Sequence, residues 1–365
     1  MQFGSDNQTG CSAQVMQAIL EANAGHSHGY GRDDWTARAV AALREVFETD
    51  LDAYFVTTGT TANGLALASM VQPWQLVLCH AQSHIVTDES TAPEFFTGGA
   101  RAVGIAHDDA KLTAAALHEH LAHAGRDQPH NPQAGAVSIA QATECGLVYT
   151  PDEVAALADC AHAHAMALHM DGARFANAVV SLQCSPAELS WRAGVDILTL
   201  GASKNGCWAA EAIVVFRKDL AAGMEHRRKR AGHLLAKGRL LGAQMLGWLR
   251  DGHWLDLARH ANGKAAQLAR RIAEVPGVSL VWPVQANELF LLMPRELALR
   301  LQGEGAEFYE WYVSALPPGQ GARPDQMFVR LVCSFATTDE QIDTFVNRAR
   351  FSAPRNWVHA SRRTP

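Results

Sequence analysis

Val195-Asp196-Ile197-Leu198-Thr199-Leu200-Gly201-Ala202-Ser203-Lys204-Asn205-Gly206 is an apolar run of strand length that ends in small residues and then offers one lysine. Asn205 and Gly206 follow at once, residue types suited to a turn. A strand that ends this way presents an amine to a cleft. A lysine so placed can form a Schiff base with an aldehyde, whether a carbonyl substrate or an aldehyde cofactor. A lone lysine after a strand is otherwise simply solvated, so the meaning of Lys204 rests on what the rest of the chain brings to it.

Working outward, strands and helices alternate from Ala53 to Phe216. The strand Ala53-Tyr54-Phe55-Val56 runs into Thr57-Thr58-Gly59-Thr60-Thr61-Ala62-Asn63, read as a polar turn, and then into a helix from Gly64 to Met70. A strand, a small polar turn and a helix start aim backbone N–H groups at one point and suit a phosphate; the same residues also serve as a plain helix cap. Leu76–Cys79 is a short strand followed by Ser83-His84, and Ala136–Ala140 leads to Gln141-Ala142-Thr143-Glu144. Thr150-Pro151-Asp152-Glu153 has the capping-box pattern with proline at the first helical position. The strand Ala165–Met170 then ends at Asp171-Gly172-Ala173-Arg174, and Ala212–Phe216 is the last strand of the series.

This alternation predicts an α/β fold whose mostly parallel sheet is covered by helices on both faces. Active residues of such a sheet gather beyond the carboxyl ends of the strands, where Gly59, Thr60, His84, Glu144, Asp171 and Lys204 all fall. Residues 1–30 read as an arm around one helix, 31–252 as the large domain, 253–352 as a smaller C-terminal α/β domain and 353–365 as a disordered tail. A long helix is expected from about His226 to Gly252, carrying Arg227-Arg228-Lys229-Arg230 as a solvated face.

Composition narrows the function classes. Hydrophobic residues make up 48%, charged residues 19%, and the formal net charge is -6, which describes an ordinary globular chain with no basic surplus to suggest a nucleic-acid partner. No stretch reaches the apolar length needed to span a bilayer, and the N-terminus lacks a signal pattern. The seven cysteines are scattered without a C-x-x-C pair, which predicts reduced thiols and a cytoplasmic location. No metal site is expected: His162 and His164 lie two apart on a helix and do not face each other.

If the aldehyde at Lys204 is pyridoxal 5′-phosphate, an acid is needed near its pyridine nitrogen, and Asp171 at a strand end suits that role. A carboxylate beside a pyridinium stays ionised. Arg174 can reach the cofactor's phenolic oxygen or a substrate carboxylate through its fork of donors.

Here the chain resembles a known family, the low-specificity L-threonine aldolases with their phenylserine aldolase branch. The residues that carry the likeness are Ser5-Asp6-Asn7, Tyr30-Gly31-Arg32-Asp33, Thr58 to Asn63, His84, His169 to Asn177 and Ser203-Lys204-Asn205-Gly206. The resemblance implies fold type I, the aspartate-aminotransferase architecture with a seven-stranded sheet, and pyridoxal 5′-phosphate as cofactor. It implies that Lys204 holds the cofactor, Asp171 pairs with its ring nitrogen and His84 stacks on its ring, while Gly59 and Thr60 grip the phosphate. Ser5, Arg174 and Arg330 would hold the carboxylate of a small amino-acid substrate. It further implies homotetramers with clefts at subunit interfaces, where Tyr30 and a basic residue near Arg230 or Lys237 act on the neighbour. The expected reaction is retro-aldol cleavage of L-β-hydroxy-α-amino acids to glycine and an aldehyde, with His84 as base and Glu144 as second candidate. Many members have a histidine where this chain has Glu144, and Lys-Gly-Leu where it has Lys204-Asn205-Gly206. The alternatives are another reaction of the same cofactor, such as hydroxymethyl transfer, transaldol exchange or β-elimination, and a non-catalytic member of the family.

Overall fold

The computed structural model describes residues 1–106, 110–122 and 128–351. The expected tail at 353–365 lies outside the described residues. Seven strands, β1 (Asp52–Val56), β2 (Gln75–His80), β3 (Arg101–Ile105), β4 (Gln133–Ala140), β5 (Ala167–Gly172), β6 (Ile197–Gly201) and β7 (Glu211–Val215), form one sheet in the order β1-β7-β6-β5-β4-β2-β3. Five adjacent strands, from β6 across to β3, run parallel. β7 is antiparallel to both of its neighbours, β1 and β6. Every residue of β5, β6 and β7 is buried, as expected of strands with helices on both faces. The reversal of β7 has a consequence for the site: its first residue, Glu211, lies opposite Gly201 of β6 and Val56 of β1, at the carboxyl edge of the parallel strands.

Local chemistry accounts for most of the expected elements. The helix Pro151–Ala163 starts with the full capping box of Thr150 and Glu153, and Asp33 caps the helix Asp34–Phe47. Two helices differ from expectation. The segment Thr57–Asn63 is not a turn before a helix at Gly64; the helix begins at Gly59, because the Thr58 hydroxyl accepts the Thr61 N–H and turns the polar stretch into a first helical turn. Gly64 is interior to it, where a Cβ would come within 2.5 Å of the Phe96 ring.

The long helix expected from His226 to Gly252 is instead two, Met224–Arg230 and Arg239–Leu249. Gly232, with φ +79°, breaks the first, and Gly238 sits so close to the Gly31 backbone that a Cβ would lie 2.7 Å from its nitrogen. The basic cluster is not wholly a solvated face, since Arg228 is buried, paired to Glu225 at 2.9 Å and stacked on Tyr54.

A second sheet is built from β8 (Ser279–Leu280), β9 (Glu288–Pro294), β10 (Tyr309–Glu310) and β11 (Gln326–Val332) in the antiparallel order β10-β11-β9-β8. One face of β9 and β11, with Leu289, Leu291, Met293, Val329 and Leu331, packs on Leu268, Ile342 and Phe345 from the helices His253–Ile272 and Asp339–Arg350. The other face, with Phe290, Leu292 and Phe328, meets Cys145 and Leu147 from the loop after β4 of the large sheet. The N-terminal arm is tied into this second sheet: the Phe3 N–H donates to the Glu307 carbonyl, and the Phe3 carbonyl accepts from the Val332 N–H, both at 2.8 Å. That anchoring carries residues 5–7 to the junction. No helix among the described residues is long and apolar enough to cross a membrane.

Candidate active site

At the carboxyl edge of the large sheet lies a cleft of about 370 Å³. Lys204 enters it from a single 3-10 turn, Ser203–Asn205. The Asn205 amide donates to the Trp254 carbonyl, and the Trp248 indole donates to the Asn205 carbonyl, both at 2.8 Å. Gly206 closes the turn with φ +111°, and its missing Cβ leaves room for Leu257. Gly201 lies against Ala173, where a Cβ would fall 2.6 Å from the Ala173 Cα; this close approach brings the ends of β5 and β6 together and sets Asp171 and Lys204 on one cavity.

Asp171 accepts the Ala173 N–H at 3.0 Å on Oδ1 and the Asn63 amide at 2.8 Å on Oδ2. The same Asn63 amide donates to Glu89 Oε1 at 2.8 Å, and Glu89 Oε1 also lies 2.9 Å from His84 Nδ1. His84 opens a short helix beyond β2 and lines the cleft. The hydrogen bond to Glu89 raises its pKa above the ordinary value; burial and Lys204 oppose this, and Asp171 adds to it.

Glu144, in the loop after β4, accepts the His84 backbone N–H at 2.7 Å. Burial pushes its carboxyl up to about 7. Glu211 at the start of β7 accepts the Ala202 N–H at 2.9 Å and is likewise pushed up to about 7 by burial. Beneath Asp171 on the same strand, fully buried His169 sits between the Ser138 and Thr199 hydroxyls at 2.9 and 3.1 Å. Burial lowers it to about 4, so it is neutral.

Gly59 and Thr60 line the cleft at the first turn of the helix Gly59–Met70, where the helix itself supplies no acceptors for their N–H groups. A Cβ built on Gly59 would meet no atom within 4 Å, so the space beside it is open. The turn is braced from behind by His233, whose Nδ1 accepts from the Thr57 N–H at 3.3 Å and whose Nε2 lies 3.0 Å from the Thr61 hydroxyl. An accepting Nδ1 places the proton on Nε2, so this histidine is neutral.

Arg174 forms a two-pronged ion pair with Asp6, Nε to Oδ2 at 2.8 Å and Nη2 to Oδ1 at 3.0 Å. Its third nitrogen is 3.3 Å from Glu288, which is in turn 3.6 Å from Arg330. Burial by itself would raise the Asp6 pKa, yet Arg174, Lys204 and the Asn287 amide hold it below its ordinary value. Arg330 stacks on Trp311 with its guanidinium carbon 4.1 Å from the ring centroid.

Of the residues expected at the site, Lys204, Asp171, His84, Glu144, Gly59, Thr60 and Arg174 line one cleft. Ser5 does not; its hydroxyl caps the turn Asp6–Gln8 and thereby places Asn7 in the lining. Tyr30 stands apart, half exposed, with Lys229 5.1 Å over its ring in a separate surface hollow. Arg330 reaches the site only through Glu288. Sequence reasoning did not single out Glu89, Glu211, His233 or Glu288. None of these carried a local signal; Glu89, five residues beyond His84 in the same polar segment, reads as a solvated loop residue until its burial is known.

The donor set fits pyridoxal 5′-phosphate: an amine at a strand end, a carboxylate whose two oxygens each keep a lone pair, an imidazole lining the same cleft, and an open helix N-terminus for a phosphate. The architecture is that of fold type I. The structure is similar to serine palmitoyltransferase of Sphingomonas wittichii, with a TM-score of 0.67 at 15% identity over 96% of this chain and 86% of that one. A likeness at that identity speaks for the fold alone.

More specific matches exist. Residues 2–295 match the beta-eliminating lyase family. The chain is 43% identical to the low specificity L-threonine aldolase of Pseudomonas aeruginosa over 93% of its own length and 94% of the relative's. The solved structure of the Leishmania major threonine aldolase superposes with a TM-score of 0.88 at 27% identity, covering 96% of this chain and 98% of that one. The chain belongs to the low-specificity L-threonine aldolase family, within the beta-eliminating lyases.

Proposed function

We propose that this protein cleaves L-threonine, L-allo-threonine and L-phenylserine-type β-hydroxy-α-amino acids to glycine and an aldehyde, using pyridoxal 5′-phosphate. The observation that carries this reading is the shared cavity of Lys204, Asp171 and His84, in a chain 43% identical to a low specificity L-threonine aldolase. When bound, the cofactor supplies the electron sink that takes up the pair released as the Cα–Cβ bond breaks. The protein's part is to hold and to move protons. Lys204 anchors the cofactor, and Asp171, oriented by Asn63 and the Ala173 N–H, holds a proton at the ring nitrogen. Gly59 and Thr60 bind the phosphate. His84 removes the proton of the β-hydroxyl, with Glu144 as second candidate because its carboxyl titrates near neutrality.

Arg174 and Arg330 are assigned to the substrate carboxylate; Ser5, assigned there with them, acts from outside the cleft lining by capping the turn that places Asn7 in it. Arg330 supports this with a buried Nε that has no hydrogen-bond partner. Arg174 reaches the cleft with its fork already steadied by Asp6. The active unit is a homotetramer in which Tyr30 and a basic residue near Arg230 or Lys237 complete a neighbour's cleft; the exposed Tyr30–Lys229 hollow supports that reading. Seven free thiols suit a cytoplasmic protein. The division at about residue 252 into a large and a small domain is our reading of the two sheets.

Aldehyde release from L-threonine and L-phenylserine by cofactor-loaded protein, without folate, tests the reading. Release is expected with the wild type and falls to background in Lys204→Ala. His84→Asn is expected to lower turnover about 10²–10⁴-fold, the usual contribution of a positioned base; near wild-type turnover transfers the role to Glu144. A wild type that binds the cofactor through Lys204 yet releases no aldehyde rejects the aldolase and leaves another reaction of the same cofactor.

A further inference from the structure

The side chain of Asn63 is almost wholly buried, on the second turn of the helix that also supplies Gly59 and Thr60. Its amide nitrogen lies 2.8 Å from Glu89 Oε1 and 2.8 Å from Asp171 Oδ2. Both partners are carboxylate oxygens, which only accept hydrogen bonds. Reversing the amide would set its oxygen against two others, so the orientation is fixed and both amide hydrogens are used. The amide oxygen is buried without a partner, a cost tolerated only if the two donated bonds matter.

Glu89 is equally enclosed, 4% exposed, with Oε2 buried and partnerless. Its Oε1 therefore serves both Asn63 and His84 Nδ1. Because a carboxylate cannot donate, Nδ1 of His84 carries the hydrogen, and Nε2 is left as the ring's acceptor.

We propose that Glu89 and Asn63 are a positioning pair: Glu89 locks His84 in its Nδ1–H tautomer with Nε2 as proton acceptor, and Asn63 ties that carboxylate to Asp171, so that the charges at the two ends of the cofactor site are set together. The pair rests on the assignment of His84 as base for its role in turnover, but not for its effect on the histidine itself. The groups facing His84 are Glu89 on its own segment, Glu144 from the loop after β4, Asp171 from β5 and Lys204 beyond β6. Three of the four are acids. Of these, Glu89 has the largest effect on His84, in keeping with its direct contact.

The test is nitrogen-15 NMR of histidine-labelled, cofactor-loaded full-length protein, with the His84 signals assigned by their loss in His84→Asn. The wild type should show the Nδ1–H tautomer when the ring is neutral. Glu89→Gln keeps the shape and the acceptor oxygen but removes the charge, and should lower the His84 titration midpoint by about one pH unit, the effect of losing an adjacent opposite charge. The acid limb of the turnover-pH profile should move with it. An Nε2–H tautomer in the wild type overturns the proposal, as does an unchanged midpoint in folded Glu89→Gln. Should that variant fail to fold, the wild-type tautomer decides. If no aldehyde is released from either substrate while tautomer and midpoint behave as expected, the pair stands and the aldolase reading falls, with the base assignment made for it.

Discussion

Two buried charge networks flank Lys204, and they are built on opposite plans. The first, His84–Glu89–Asn63–Asp171, is acid-rich, joined by hydrogen bonds, and open to the cleft at one end, where the His84 side chain is 44% exposed. The second, Asp6–Arg174–Glu288–Arg330, is a balanced set of two cations and two anions, with Asp6, Glu288 and Arg174 all at most 10% exposed in their side chains. The first gathers residues from elements around the large sheet and leaves a titratable group facing solvent. The second draws on the arm, the end of β5, β9 and β11, and pins the two sheets together. An open, unbalanced network suits moving protons. A closed, balanced one suits holding a guanidinium still.

The sharpest way to break this contrast is to remove one partner from the closed network. Asp6→Ala leaves Arg174 buried without its two-pronged partner, and denaturant unfolding should show a loss of about 3–5 kcal/mol, the usual cost of breaking a buried pair. An effect below about 1 kcal/mol, the range of surface pairs, would show that Asp6 does not hold the junction.

The networks should also separate by pH. Asp6 has its carboxyl held below the ordinary 3.8, so its stabilisation is present above that value and is lost as pH falls through the lower folded value. His84 is raised above 6.5, so its stabilisation is full below 6.5 and is lost as pH rises through the folded value. Unfolding free energies measured across pH should therefore show a shallower acid slope in Asp6→Asn and a shallower slope just above 6.5 in His84→Asn. The second change is the smaller, because the ring is partly solvated.

A milder perturbation falls outside both networks. His233→Ala removes the brace behind the turn proposed to bind the phosphate, and at about 1 kcal/mol for the hydrogen bonds lost cofactor affinity should weaken roughly fivefold to tenfold, read from titration of the lysine-bound chromophore. Unchanged affinity would show that the Thr58 cap alone sets the turn. The smallest effect is expected from Thr150→Ala, which removes a helix cap that belongs to neither network: about 0.5 kcal/mol of stability with turnover untouched.

Much of the open network was legible in advance, and little of the closed one. Asp171, His84 and Lys204 each follow a run of apolar residues, and the rule that ligands sit beyond the carboxyl ends of parallel strands put them on one edge. Glu89 was invisible as a partner because a carboxylate five residues past a histidine reads as a solvated loop residue until its burial is known. Asp6 and Arg174 are 168 positions apart, and nothing in their local patterns pairs them. Tyr30, half exposed away from the cleft, marks where the expectation depends on a second subunit.

The sequence by itself determined the alternation of strands and helices and the sheet edge on which Lys204, Asp171 and His84 fall, because periodicity, caps and turn residues act over a few positions. The tertiary structure decided the rest. It broke the expected long helix at Gly232 so that His233 could brace the first turn of the helix Gly59–Met70, and it reversed β7 so that Glu211 joined the cleft. It also chose Asp6 and Glu288 as the partners of Arg174. Each of these depends on which polar groups lose water together, and desolvation is fixed by the packing of segments far apart in the chain.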